Sequence, residues 1–247
     1  MNIKECMNYD EIKNTIRPFD LIFFKGKGFI SDIINFFEVR TLKPKEAKYK
    51  IKDKDLFTHV GLIITTEMAT YPNMEDGKLY ILESTISNNS KTNINDINGK
   101  SYLGVQIRDF EKLISVNKKS KTNVAVGYLN NNPLDNKIDG LKEKFNIILN
   151  KYIYTPYEFN PLALPGALIN EFRWERNFIE STFKIKSDDC LFCSELVATV
   201  YKEINIFDEK VIPKNVVPMD FLGYDVDEIE DGGVPCVIKT PIVYIIY

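Results

Sequence analysis

The stretch FTHVGLIITT (residues 57–66) places apolar and β-branched side chains on both faces of an extended chain. A strand of that kind has to be covered on both sides, so it belongs near the middle of a sheet with other elements packed against it. Shorter apolar runs follow the same logic: DLIFF (20–24), LYILEST (79–85), YLGVQIR (102–108) and NVAVGYL (123–129) each read as a strand bounded by turn residues. LYILEST, reached through the turn segment 73–78, is the expected antiparallel partner of the central strand. The tail adds an extended arm, VIPKNVVPMDF (211–221), and one or two closing strands in VPCVIKTPIVYIIY (234–247).

Helical spacing appears between these runs. Residues 10–16 suit a short helix, ended by Arg17-Pro18, and FISDIINFFEV (29–39) suits another. DFEKLIS (109–115) reads as a short helix, and Ile138, Leu141, Phe145, Ile148 and Leu149 make one face of a helix over 135–150. LINEFRWERNFIEST (168–182) is also helical in pattern. By contrast, YIYTPYEFNPLALPGA (152–167) carries three prolines and cannot form one regular element. Residues 41–56, rich in lysine and interrupted by acids, read as a solvated insertion loop, and 87–100 as a loose polar loop. With no repeat or linker, residues 1–247 form one expected domain of α+β class, a mostly antiparallel, small barrel-like sheet with packed helices.

Bulk properties exclude several functions. A net charge of −3, with lysines alternating with acids, offers no basic face for nucleic acid. The segment MNIKECMNYDEIKNTIRPF lacks the apolar stretch of a secretory signal, and no run approaches the ~20 apolar residues of a membrane span. Four cysteines in 247 residues make no disulfide framework, so a reducing compartment is expected, cytoplasmic or virion-associated.

The chain has one histidine. If catalysis here uses an imidazole base, that base is His59, aimed from the start of the central strand; otherwise His59 is a strand-end histidine satisfied by backbone. Cys193 opens a helix whose apolar face is Leu196, Val197, Val200, Tyr201 and Ile204. Unpaired N–H groups and the macrodipole at a helix start stabilise a thiolate, and the same groups suit an oxyanion. A buried structural thiol is the competing reading. Glu83 interrupts the apolar run YIL on the strand expected beside His59; a buried carboxylate needs a partner, so it either faces solvent or holds His59. Cys190 and Cys193 form a CxxC pair, but no second pair or histidine cluster completes a zinc site, and the pair sits late in the chain for a thioredoxin-like redox motif.

Taken in order, FDLIFFKGKGFISDIINFF, FTHVGLII, LYILEST, GVQIRDFEKLI, YTPYEFN, DCLFCSELVATVY and VVPMDF span residues 19–221. This series, with the histidine first and the cysteine last, resembles the circularly permuted branch of the NlpC-type papain-like superfamily. That branch contains YiiX-like bacterial proteins, a poxvirus group and, more distantly, the lecithin:retinol acyltransferase type. The resemblance implies a permuted papain-like fold with a catalytic Cys193, His59 and Glu83. Phe19-Asp20 stands where the family usually has Gly-Asp, so the residue type no longer argues for a tight turn there, while Asp20 keeps a structural or substrate-facing role. Tyr157 and Glu158 match a Tyr-Asp position near the cleft and are implied substrate contacts.

The expected activity is that of a thiol-dependent hydrolase, a cysteine peptidase or amidase acting on a peptide or lipid-linked amide through an acyl-enzyme. A lipid acyltransferase or thioesterase would use the same residues, and a catalytically silent binding or virion-associated domain would keep only the fold. No step needs a metal or an organic cofactor. The apolar PLALPGAL (161–168) reads either as the border of an acyl-binding cleft, with peripheral membrane contact, or as a loop covering the core.

Overall fold

A computed structural model describes residues 5–25, 57–86, 91–94, 103–136, 139–157, 191–222, 237–239 and 242–247. The expected helices at 29–39 and 168–182, the lysine-rich loop at 41–56 and PLALPGAL lie outside these residues. Seven strands form one sheet: β1 (Glu5–Asn8), β2 (Leu21–Phe24), β3 (His59–Ile64), β4 (Tyr80–Thr85), β5 (Gly104–Asp109), β6 (Val124–Gly127) and β7 (Val243–Ile246). Their spatial order is β1-β7-β6-β2-β3-β4-β5, antiparallel at every step except β1 with β7. Four α-helices are described: α1 (Tyr9–Ile12), α2 (Phe110–Ser120), α3 (Leu141–Tyr152) and α4 (Cys193–Glu203).

The class is therefore α+β with a mostly antiparallel sheet, as expected, but the sheet is open rather than barrel-like. The outer edge of β5 shows why closure is unnecessary. Its backbone groups are met by irregular segments: Ile94 and Tyr154 N–H donate to Ile107 and Val105 carbonyls, and Val105 and Asp109 N–H donate to Thr155 and Thr92 carbonyls. An edge covered in this way needs no strand from the far side. The other end departs from expectation too. Residues 10–16 make only the single turn α1, closed by a reciprocal cap between Asn8 and Glu11, because the preceding ECMN is drawn into β1 beside the C-terminal β7.

Strand alternation divides the interior. Leu21, Phe23, Val60, Leu62, Leu82, Val105 and Ile107 face Leu196, Val197, Val200 and Tyr201 of α4 and Phe145 and Ile148 of α3. Ile22, Phe24, Ile63, Ile81, Val124 and Val126 face Phe110, Leu113 and Ile114 of α2 on the other side. Burying each Leu, Ile or Phe stabilises by roughly 1.5–3 kcal/mol, so α4 is fixed to the sheet by several such side chains at once. Helix α2 runs five residues beyond the expected DFEKLIS, started by the Asp109 side chain capping Lys112 N–H and stopped at left-handed Lys121. In the tail, the expected arm is broken by two short 3-10 turns, Pro213–Asn215 and Asp220–Leu222.

The turn into β2 is made at a residue other than glycine. Phe19 adopts φ +72°, a conformation that costs an L-residue roughly 1–2 kcal/mol. Its ring is fully buried, edge-on to Phe145 at 5.5 Å, and its carbonyl accepts a 2.6 Å bond from the Tyr201 hydroxyl of α4. Burial of the aromatic ring offsets the strain and ties this turn to α4. Among the described residues, no helix is long and apolar enough to cross a membrane.

Candidate active site

Cys193 is the first residue of α4, and three ties hold that end of the helix against the sheet. Leu191 N–H donates to Pro156 O at 3.0 Å, Ser84 Oγ of β4 donates to Leu191 O at 2.7 Å, and Tyr157 pairs with Leu191 in a parallel bridge. Phe192 is the extended cap residue. It has no acceptor to offer the helix, but its own N–H reaches Glu195 Oε2 at 3.4 Å. The Phe192 side chain therefore takes none of the first-turn N–H groups. The Cys193 sulfur takes one of them, from Ser194, and a second N–H from Val60 of β3.

Val60 is available because β3 and β4 diverge. Their ladder runs from Ile64↔Tyr80 to Leu62↔Leu82, and the Val60 N–H beyond it goes to the cysteine rather than to β4. Gly61, at the point of divergence, lets the strands stay close: a Cβ there would lie 2.5 Å from Ile81 Cδ1 and 3.2 Å from Glu83 Cβ. Glu83 and His59 therefore meet across the gap, Oε2 to Nε2 at 2.6 Å. With Nε2 held, Nδ1 is the nitrogen left for Cys193, whose side chain hydrogen-bonds the ring. Phe24, opposite His59 on β2, packs its ring 5.5 Å from the imidazole. The imidazole side chain keeps 20% of its exposure, whereas Glu83 keeps 2%, so the far end of the chain of contacts is shielded and the histidine is still reachable.

Electrostatics follow from this packing. Burial disfavours the imidazolium, but the Cys193 sulfur and the Glu83 carboxylate outweigh it and raise the His59 pKa above the ordinary imidazole range. Burial likewise opposes the thiolate, yet the His59 charge and the two backbone N–H groups lower the Cys193 pKa. Glu83 is pushed down to about 2: burial acts against it, and Arg108 and His59 override that. The arrangement favours a thiolate–imidazolium pair backed by an ionised carboxylate.

Arg108 escaped the reading of the sequence. It lies on β5 with its side chain 5% exposed, Nη1 donating to Glu83 Oε1 at 2.7 Å and Nε to Thr92 Oγ1 at 2.7 Å. The available signal was the alternation Gln106, Arg108 against Val105, Ile107, which puts two long polar side chains on one sheet face beside a strand that carries Glu83.

Cys193, His59 and Glu83 are brought together. Asp20 is not among them. It precedes β2, four residues before Phe24 and roughly 13 Å from it at strand spacing. Both its oxygens are occupied, by Arg17 N–H and Leu129 N–H at 2.8 Å each, and burial raises its pKa to about 6 against their pull. Both bonds come from backbone groups, the contacts that a structural role would use. Tyr157 is buried beside the segment entering α4, its ring edge-on to Phe192 at 6.3 Å. Glu158, Cys190 and Cys236 lie outside the described residues. Among the described residues, no group of three or more His, Cys, Asp or Glu side chains is disposed to hold a metal ion.

Comparison with known proteins yields little at the level of sequence: no family model matches the chain, and no curated protein matches it. Among solved structures it is similar to the crystal structure of metalloprotein yiiX from Escherichia coli O157:H7, DUF1105, with 14% identity and a TM-score of 0.42 over 93% of this chain and 96% of that one.

Proposed function

We propose that this protein is a thiol-dependent hydrolase of permuted papain-like type, in which Cys193 is the nucleophile, His59 its base and Glu83 the residue that orients the imidazole. The observation that carries the reading is the series of contacts from Cys193 at a helix start, through the imidazole of the sequence's single histidine, to a buried ionised carboxylate. Order supports the same reading: His59 stands on a central strand early in the chain and Cys193 opens a helix late in it.

The Cys193 thiolate attacks a carbonyl carbon, and the π electrons move to oxygen. In this reading N–H groups at the start of α4 receive that oxyanion, each good donor contributing roughly 3 kcal/mol. Collapse expels the amine, which takes its proton from the His59 imidazolium, and leaves a thioester on Cys193. Neutral His59 then removes a proton from water as it attacks the thioester, and the acid product departs as the imidazolium and thiolate re-form. Glu83 holds Nε2 throughout, so Nδ1 always faces the sulfur. The substrate class is an amide, peptide or lipid-linked.

Cys193→Ala tests this directly. Incubated with an activated ester, the wild-type chain is expected to acquire an acyl group on Cys193, read as a mass increase on its peptide; the variant should acquire none. Equal labelling of both would remove Cys193 from the chemistry.

A further inference from the structure

Four ionisable side chains stand in series in this site: Cys193, His59, Glu83 and Arg108. Written in the state the contacts favour, their charges alternate, minus, plus, minus, plus, and cancel. Without the last member the remaining three carry a net negative charge in a place where Glu83 and Cys193 are almost fully shielded from water. A buried group that cannot be neutralised by a partner picks up a proton instead. The cheapest ways to do so are to protonate Glu83, which then ceases to be a charged partner for His59, or to return the proton to the sulfur.

We propose that Arg108 is a positioning residue for the thiol chemistry: its charge keeps Glu83 ionised, and its two-pronged attachment turns one carboxylate oxygen toward His59. This rests on the hydrolase reading above and adds to it a fourth residue. The geometry divides the two oxygens of Glu83 cleanly, Oε1 to Arg108 and Oε2 to His59. Arg108 is itself fixed from behind by Thr92, whose segment is laid against β5 by a bridge at Asn93 and by Asp109 N–H donating to Thr92 O. The guanidinium therefore has one side on a neutral hydroxyl and one on the carboxylate. Charged groups facing Glu83 are Arg108 from β5 and His59 from β3, with Cys193 of α4 beyond the imidazole.

Charge and hydrogen bonding can be separated by two substitutions. Arg108→Gln keeps donors near Glu83 and Thr92 but no charge; Arg108→Lys keeps the charge but not the fork. Iodoacetamide alkylation of Cys193, followed on its own peptide by mass spectrometry across pH, reports the thiolate. The ring proton of the chain's only histidine reports His59 by NMR. Without the cation Glu83 no longer holds its charge, so in Arg108→Gln the imidazolium loses its partner and the His59 titration should move downward, while the less supported thiolate moves the Cys193 titration upward, each by on the order of one pH unit. Arg108→Lys should return both close to wild type. A purely structural role would lower the extent of reaction without moving either midpoint, and midpoints unchanged in Arg108→Gln would overturn the proposal. If Arg108→Gln does not fold, Thr92→Val, which keeps the cation but frees it to withdraw from Glu83, takes its place: the two midpoints should move in the same senses by a few tenths of a pH unit, and midpoints identical to wild type would overturn the proposal. Should wild-type Cys193 itself titrate as an ordinary thiol, the hydrolase reading fails; a low wild-type midpoint with an unmoved Arg108→Gln fails the Arg108 proposal alone.

Discussion

Glu83 Oε2 lies 2.6 Å from His59 Nε2, across the point where β3 and β4 cease to pair. That contact fixes which ring nitrogen is left for Cys193, and so converts two buried groups and a half-buried ring into one directional array. It also gives each member a distinct response to substitution and pH.

Replacing Glu83 by glutamine keeps a polar group at Nε2 but removes the charge. The imidazolium loses its stabilising partner, the amide can present N–H to the ring, and Arg108 faces a neutral group. Acylation of Cys193 by an activated ester is expected to fall by a factor on the order of 1,000 or more. Rates within tenfold of wild type would show that the carboxylate does not serve the histidine.

Acid stability should track Glu83. Its pKa is about 2 in the folded chain against 4.5 for the free side chain, so the folded state binds this proton less readily than the unfolded one. The stability it supplies is present above pH 4.5 and is lost as pH falls toward 2. Urea unfolding at stepped pH should show that loss in the wild type and a shallower slope in Glu83→Gln.

Gly61→Ala asks whether the close approach of β3 and β4 matters to the site. The added methyl would meet Ile81 and Glu83, so the neighbouring side chains have to shift. A loss of about 1–3 kcal/mol in stability is expected from such overpacking. Displacement of Glu83 should also bring the His59 titration back toward the ordinary imidazole range, read by NMR.

Asp20→Asn should behave differently. The amide can accept from only one of the two backbone N–H groups now bound by the carboxylate, leaving the other opposed by its own N–H. Stability is expected to drop by roughly 1–3 kcal/mol while the His59 titration stays in place. A normal stability with altered Cys193 reactivity would give Asp20 a role at the site after all.

Much of the site was readable in one dimension because each member breaks a local rule. A carboxylate directly after YIL, a lone histidine opening a strand that is apolar on both faces, and a cysteine at a helix start each ask for an explanation. Arg108 breaks no such rule until its register with Glu83's strand is known, since an arginine at a strand end is commonly solvated. The same holds for β1: ECMN has little strand character and is extended because β7, from the far end of the chain, pairs with it. Phe19 is a further case. Residue type argues for glycine at φ +72°, and the reason for phenylalanine there, burial against Phe145 and a bond from Tyr201, is entirely tertiary.

The thiolate–imidazolium pair is the centre of the account, and the single histidine makes it directly measurable. The ring-proton resonance of His59, followed by NMR across pH, should give a midpoint well above that of a free imidazole in the wild-type chain, and a lower one in Cys193→Ala. A midpoint near the free-imidazole value, unchanged by Cys193→Ala, would contradict it.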